Sequence, residues 1–171
     1  GWMNLDDLKS FRQLHSKTPG HPEVEIPGVE CTTGPLGQGI GMGVGMAVAE
    51  AILNHMFAAE SSQNPISHYT YVLAGDGDLQ EPIALGAAAL AGHWGLGNLV
   101  LYYDSNNAQI SGEISRADST DYAGVFESMG WKVQKINGHD HDEIKTALEY
   151  TKISNVPSLI IGKTIMAKGT A

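Results

Sequence analysis

Apolar and polar positions change period repeatedly along the chain. Four short runs rich in Val, Ile, Leu and Tyr cover residues 69–74, 98–103, 131–136 and 158–163, each bounded by Gly, Asn, Asp or Pro. That composition and length predict β-strands. Between them, residues 81–94, 122–129 and 140–153 carry apolar positions at helical spacing. In the last of these, Ile144, Ala147, Leu148 and Ile153 share a face, with Asp140 or Asp142 as the N-cap. Upstream, residues 5–15 read as an amphipathic helix. A loop with Pro19, Pro22, Pro27 and Pro35 follows, then a long helix over about 36–57. Strand and helix alternate, so the expected fold is α/β, a parallel sheet with helices on both faces. Leu99-Val100-Leu101 and Leu159-Ile160-Ile161 are unbroken apolar runs, as strands buried on two sides require. No internal repeat or low-complexity linker divides the 171 residues, which predicts one domain over 1–171.

Composition narrows the ligand. Ten Lys and Arg stand against nineteen Asp and Glu, a net charge of −9, and no basic run occurs. Binding of nucleic acid through phosphate neutralisation is therefore not expected. An anionic ligand would have to be held by a metal ion and backbone N–H groups. Cys31 is the only cysteine, so no intrachain disulfide forms and a reducing, cytoplasmic setting is expected. The most apolar stretch, 39–49, is about half the roughly 20 residues of a spanning helix, and no signal peptide is apparent. No membrane role is expected. Gly1-Trp2-Met3 does not resemble a natural start, and the chain is expected to be either a fragment of a longer protein or one subunit of a split one.

Ligands of parallel sheets bind outside the carboxyl ends of the strands. Two polar clusters fall there: Gly75-Asp76-Gly77-Asp78 after the first run and Asp104-Ser105-Asn106-Asn107 after the second. If these strands are neighbours, the Asp76 carboxylate and the Asn106 amide oxygen can reach one point. Both are hard donors of the kind Mg²⁺ or Ca²⁺ takes. Gly75 and Gly77 let backbone close on a ligand, and a helix starting near Gln80 would aim N–H groups at a phosphate. Either cluster alone is also good turn composition. Their occurrence at successive strand ends favours a metal-held diphosphate.

Gly75-Asp76-Gly77 followed about thirty residues on by Asn106 resembles the thiamine-diphosphate signature of many enzymes. Thr18-Pro19-Gly20-His21-Pro22-Glu23 and Thr32-Thr33-Gly34-Pro35-Leu36-Gly37-Gln38-Gly39 are narrower, and in this order they resemble transketolase. The similarity runs from about Leu5 to Gly169. It implies that Asp76, Asn106 and the backbone carbonyl of Ala108 bind the metal, Mg²⁺ or alternatively Ca²⁺. It implies that Gly77 donates to the diphosphate, with Gly75 and Asn106 in the same cofactor site, and that Gly34 and Leu36 contact the cofactor rings. His21 would face the donor substrate, and Glu81 would belong to a proton-linked network at a subunit interface.

The implied activity is transfer of a two-carbon ketol unit from a ketose phosphate to an aldose phosphate, in the pentose phosphate pathway. A pyrimidine-binding domain or subunit would complete the site, in a homodimer or heterotetramer. Dihydroxyacetone synthase shares these motifs, and a non-catalytic cofactor-binding fragment is a further reading. Three positions depart from the pattern. Gly86 stands where a second acid is usual, Pro82 replaces a glycine, and Ala108 a larger aliphatic residue. His139-Asp140-His141-Asp142 is explained by a turn and an N-cap. The row Gly39, Gly41, Gly43, Gly45 implies close packing of the long helix on a neighbour.

Overall fold

A computed structural model describes residues 2–57, 66–110 and 112–169. The chain divides into two compact units, Gly1–Pro35 and Leu36–Ala171.

In the first unit, helix α1 spans only Leu5–Lys9. Asn4 caps it, accepting from the amides of Asp6 and Asp7, while the Asp7 carboxylate accepts from the Asn4 amide. The expected extension to residue 15 does not form. Ser10 closes the helix by bonding back to the Asp6 carbonyl, and Arg12 and His15 adopt positive φ of 60° and 63°, which a right-handed helix cannot accommodate. Among the described residues the rest of this unit is loop.

The second unit contains α2 (Gln38–Phe57), β1 (Thr70–Gly75), α3 (Asp76–Leu79), α4 (Pro82–Trp94) and β2 (Leu99–Ser105). A two-residue hairpin, β3 (Ala108–Gln109) with β4 (Gly112–Glu113), comes next, then a 3₁₀ turn, Ile114–Arg116. The unit ends with α5 (Tyr122–Ser128), β5 (Lys132–Asn137), α6 (His141–Thr151) and β6 (Ser158–Lys163). The four long strands form a parallel sheet in the order β1-β2-β6-β5. The expected α/β class is found, and each expected strand is present to within two residues.

Period-two alternation sends the central strands into two cores. Leu99, Leu101 and Tyr103 of β2 and Leu159 of β6 pack with Ile40 and Val44 of α2, Ala84 and Ala88 of α4, and Phe126 of α5. Val100 and Ile160 face the other way, onto Ala147 of α6. This is why both strands read as unbroken apolar runs. Trp131 braces the first core: its ring meets Phe126 edge-on at 5.1 Å and its Nε1–H donates to the Ala88 carbonyl at 2.8 Å. Asp140 caps α6 through the amides of Asp142 and Glu143, as expected, and His139 Nε2 accepts from the Ile165 amide at 2.9 Å.

The long helix α2, at 20 residues, is long and apolar enough to cross a membrane, unlike the shorter stretch counted from sequence. Here its buried residues Ile40, Gly43, Val44, Ala47 and Glu50 pack on α4 and β1. The glycine row does not act uniformly. A Cβ on Gly43 would stand 2.3 Å from Val72 Cγ2, whereas one on Gly45 meets nothing within 4 Å and one on Gly41 only ordinary contact with Ile83 at 3.7 Å. Close packing is needed at Gly43 alone of these three.

Candidate cofactor and metal site

The strands carrying the two polar clusters are neighbours, with Gly75 paired to Asp104. The chain leaves β1 directly into the short α3, whose N-cap is Gly75. Asp76 is thereby the first helical residue, turned inward and only 3% exposed. From β2 the chain continues through Asn106 and Asn107, the latter at φ 59°, into the β3–β4 hairpin. That left-handed turn carries the backbone back over Asp76. The Ala108 amide then donates to Asn106 Oδ1 at 2.9 Å and reaches Asp76 Oδ2 at 3.3 Å.

One N–H thus serves two side-chain oxygens from different strand ends. The two oxygens predicted as metal donors converge on a shared point, one an anion and one a neutral amide. That donor set fits a hard divalent cation. Among the described residues no group of three or more His, Cys, Asp or Glu forms a metal cluster, and the His139–Asp142 segment is accounted for by its turn and cap.

Neighbouring groups hold Asp76 in place. The Tyr103 hydroxyl donates to Asp76 Oδ1, leaving Oδ2 toward Ala108. Burial, and then this bond to a carboxylate, push the Tyr103 phenol well above its ordinary pKa. Gln80 Nε2 donates to the Asp76 carbonyl at 3.3 Å and to Gln109 Oε1 at 3.1 Å, tying α3 to the hairpin. Asn106 Nδ2 donates to Asp104 Oδ2 at 3.2 Å, and the Thr164 hydroxyl donates to Asp104 Oδ1. The carbonyl face of Asn106 is therefore set by a chain reaching to the end of β6.

Asp78 is a clamp the sequence did not disclose. Its Oδ2 accepts from the Gly75 amide at 2.8 Å and its Oδ1 from the Gly37 amide at 2.9 Å. Its place three residues after the N-cap glycine was the available signal. Leu36 follows from this clamp, since its Cδ1 lies 3.3 Å from where a Cβ on Gly77 would be. Gly37, at φ 76°, has no room for a side chain, because its Cβ would lie 2.7 Å from Glu81 Cβ.

The helix expected to begin near Gln80 is present as α4, within two residues of that point. Helix α4 begins at Pro82, which has no N–H, and it is α3 that follows the strand at once. The backbone amides that follow β1 at once are therefore those of α3, around Gly77. Glu81 occupies the N-cap of α4, yet its carboxylate makes no capping hydrogen bond. Gly86 is exposed, with nothing within 4 Å of a Cβ built on it.

In the first unit the two stretches that carry the resemblance are joined. The Thr33 amide donates to the Pro22 carbonyl at 3.3 Å, and the Val24 amide to Thr32 Oγ1 at 3.1 Å. A Cβ on Gly34 would stand 3.2 Å from His21 Nδ1, so glycine there lets the backbone lie against the imidazole. His21 is exposed.

Fold and site together describe an α/β domain that gathers a carboxylate and an amide oxygen at the carboxyl ends of two adjacent parallel strands. The family model "Transketolase, thiamine diphosphate binding domain" matches residues 2–171, and the chain belongs to that family. It is 49% identical over 170 residues to transketolase 2 of Aliivibrio fischeri and 47% identical over 171 residues to transketolase of Buchnera aphidicola. Each alignment covers 98% of this chain and 26% of the relative. The crystal structure of transketolase from Campylobacter jejuni superposes with a TM-score of 0.88 at 50% identity, over 97% of this chain and 26% of that one. The Leishmania mexicana enzyme gives 0.86 at 42%, over 94% and 24%. The chain thus spans about a quarter of the length of the curated relatives it matches.

Proposed function

We propose that this chain, as one partial domain over 1–171, supplies the diphosphate- and metal-binding part of a transketolase. The reaction is transfer of a two-carbon ketol unit from a ketose phosphate to an aldose phosphate, within the pentose phosphate pathway and in the cytoplasm. The observation that carries this reading is the convergence of Asp76 Oδ2 and Asn106 Oδ1 on the Ala108 amide. With the Ala108 carbonyl they would bind Mg²⁺, or Ca²⁺ in its place. The net charge of −9 supports this arrangement, since it leaves the metal and backbone amides to meet the diphosphate.

Bound there, thiamine diphosphate would supply a nucleophilic carbon for the ketol chemistry. The chain's own residues bind, orient and handle protons. Gly75 and Gly77 bring backbone to the diphosphate, and Leu36 and Gly34 bear on the rings. His21 hydrogen-bonds or transfers a proton at the donor substrate. Glu81, whose carboxylate is not used in capping, takes part in a proton-linked network at a subunit interface. A pyrimidine-binding domain or subunit completes the site, giving a homodimer or heterotetramer.

The exposed Gly86, with open space where the family's second acid is expected, favours one rival: a chain that binds cofactor without coupled turnover. Calorimetric titration with thiamine diphosphate and Mg²⁺, with and without a pyrimidine-domain chain, separates the two. Ketol transfer is expected only in the mixture, and Asp76→Ala is expected to abolish Mg²⁺-dependent cofactor binding. Unchanged affinity in that variant would mean that the metal lies elsewhere. Cofactor binding with no activity in any mixture would favour the rival.

A further inference from the structure

At the opposite end of the sheet, by the amino end of β2, the second unit carries an open hollow of about 420 Å³. Seven residues of strand, roughly 20 Å, separate it from the Asp76 cluster. Its lining includes Glu50, Asn54 and His55 of α2, Trp94 of α4, and Asn98 and Asn155 from the loops entering β2 and β6. Among the described residues no Lys or Arg lines it.

Glu50 is the unusual member. It is 4% exposed, yet both of its hydrogen bonds are from neutral amides on the same oxygen, Asn98 Nδ2 at 3.0 Å and Asn54 Nδ2 at 3.3 Å from Oε1. No ion pair to Glu50 occurs among the described residues, and Oε2 accepts no hydrogen bond from them. Oε2 is not among the fully buried unpartnered polar atoms, so it is reached from the hollow, where a cationic group could meet it.

The hollow has a preformed wall. A Cβ on Gly97 would lie 3.0–3.2 Å from backbone atoms of Ser154 and Asn155, so the two loops are in close backbone contact. Ser154 Oγ braces its own loop, donating to the Val156 carbonyl at 2.7 Å. Trp94 lines the hollow and is 52% exposed, an aromatic surface of the kind that attracts a cation. The volume lies in the ordinary range for small-molecule sites, about 300–1,000 Å³.

The geometry points to a second binding site in this chain, for a small organic cation bearing an ammonium group, with Glu50 as counter-charge and Trp94 as aromatic wall. It stands independently of the cofactor reading. The test is calorimetric titration of the 171-residue chain with 1,4-diaminobutane and with choline, and with 1,4-butanediol as the uncharged control. Trp94 fluorescence is followed in parallel. At least one cation should bind while butanediol does not. Glu50→Gln keeps the side chain's shape and removes the charge, and should weaken binding about 30-fold or more. Trp94→Leu, which leaves Glu50 untouched, should weaken it by about threefold to thirtyfold and remove the fluorescence response. Circular dichroism checks that each variant is folded, and if Glu50→Gln is not, Trp94→Leu carries the test. Absence of binding by both cations, equal binding of butanediol, or affinity unchanged in the folded variants would overturn the proposal.

Discussion

Gly43 and Gly45 lie two residues apart in one helix and should respond oppositely to the same substitution. In Gly43→Ala the new methyl would be 2.3 Å from Val72 Cγ2, well inside the 3.5–4.0 Å of a relaxed carbon contact. Val72 is β-branched and holds few χ1 states, so relief requires α2 to lift from β1. Overpacking of this kind costs about 1–3 kcal/mol. Replacing a helical glycine returns about 1 kcal/mol, so Gly43→Ala should destabilise the chain by up to about 2 kcal/mol. Gly45→Ala meets nothing within 4 Å and keeps only the propensity gain of about 1 kcal/mol. The propensity term cancels between the two variants, and their difference isolates the packing cost. Urea denaturation is the assay. With a slope of about 1–3 kcal/mol/M, a difference of ~2 kcal/mol separates the midpoints by roughly 1 M. Midpoints shifted upward alike would refute the close approach of α2 to Val72.

Three further outcomes are expected. Tyr103→Phe removes the hydroxyl that orients Asp76 and should lower Mg²⁺-dependent thiamine diphosphate affinity about 10- to 100-fold, as loss of groups behind a metal ligand does; equal affinity by calorimetry would show that Asp76 needs no such support. Trp131→Phe loses the 2.8 Å bond to the Ala88 carbonyl and part of the ring volume, and should cost about 1–3 kcal/mol in thermal or urea unfolding; an unchanged midpoint would contradict that buried bond. Asp118 is held below the ordinary aspartate pKa, first by the Thr120 hydroxyl and then by that of Tyr122. Its folded-state pKa is depressed, so its contribution to stability is present above about pH 4 and is lost as pH falls through the lower folded value. An NMR titration should place its midpoint below ~3.9 and move it upward in Tyr122→Phe; no movement would remove Tyr122 as a cause.

The α/β class and the four strands were legible because two-sided burial leaves short unbroken apolar runs such as Leu99-Val100-Leu101, a pattern that a half-exposed strand or a surface helix does not produce. The nearness of Asp76 and Asn106 was legible for a related reason: each follows a strand, and chain direction in a parallel sheet puts both ends on one edge. The failures were local. Residues 10–15 keep a helical pattern of side chains, but positive φ at Arg12 and His15 is a backbone choice that side-chain periodicity does not encode. The early helix α3 hid inside a motif that also reads as a turn.

By itself, the order of residues determined which groups were available at the strand ends and which chemistry they suit: hard oxygen donors, glycine-lined backbone and no basic cluster. Only the tertiary structure decided how those groups are held. Tyr103 lies 27 residues from the Asp76 carboxylate it orients, Asp78 lies 41 from the Gly37 amide, and Thr164 lies 60 from Asp104. Those hydrogen bonds exist only once α2, β1, β2 and β6 have packed together. Likewise Glu50 and Asn98 meet across 48 residues. Sequence spacing carries composition and period along the chain, whereas a hydrogen bond between distant residues depends on register and packing that the whole fold sets.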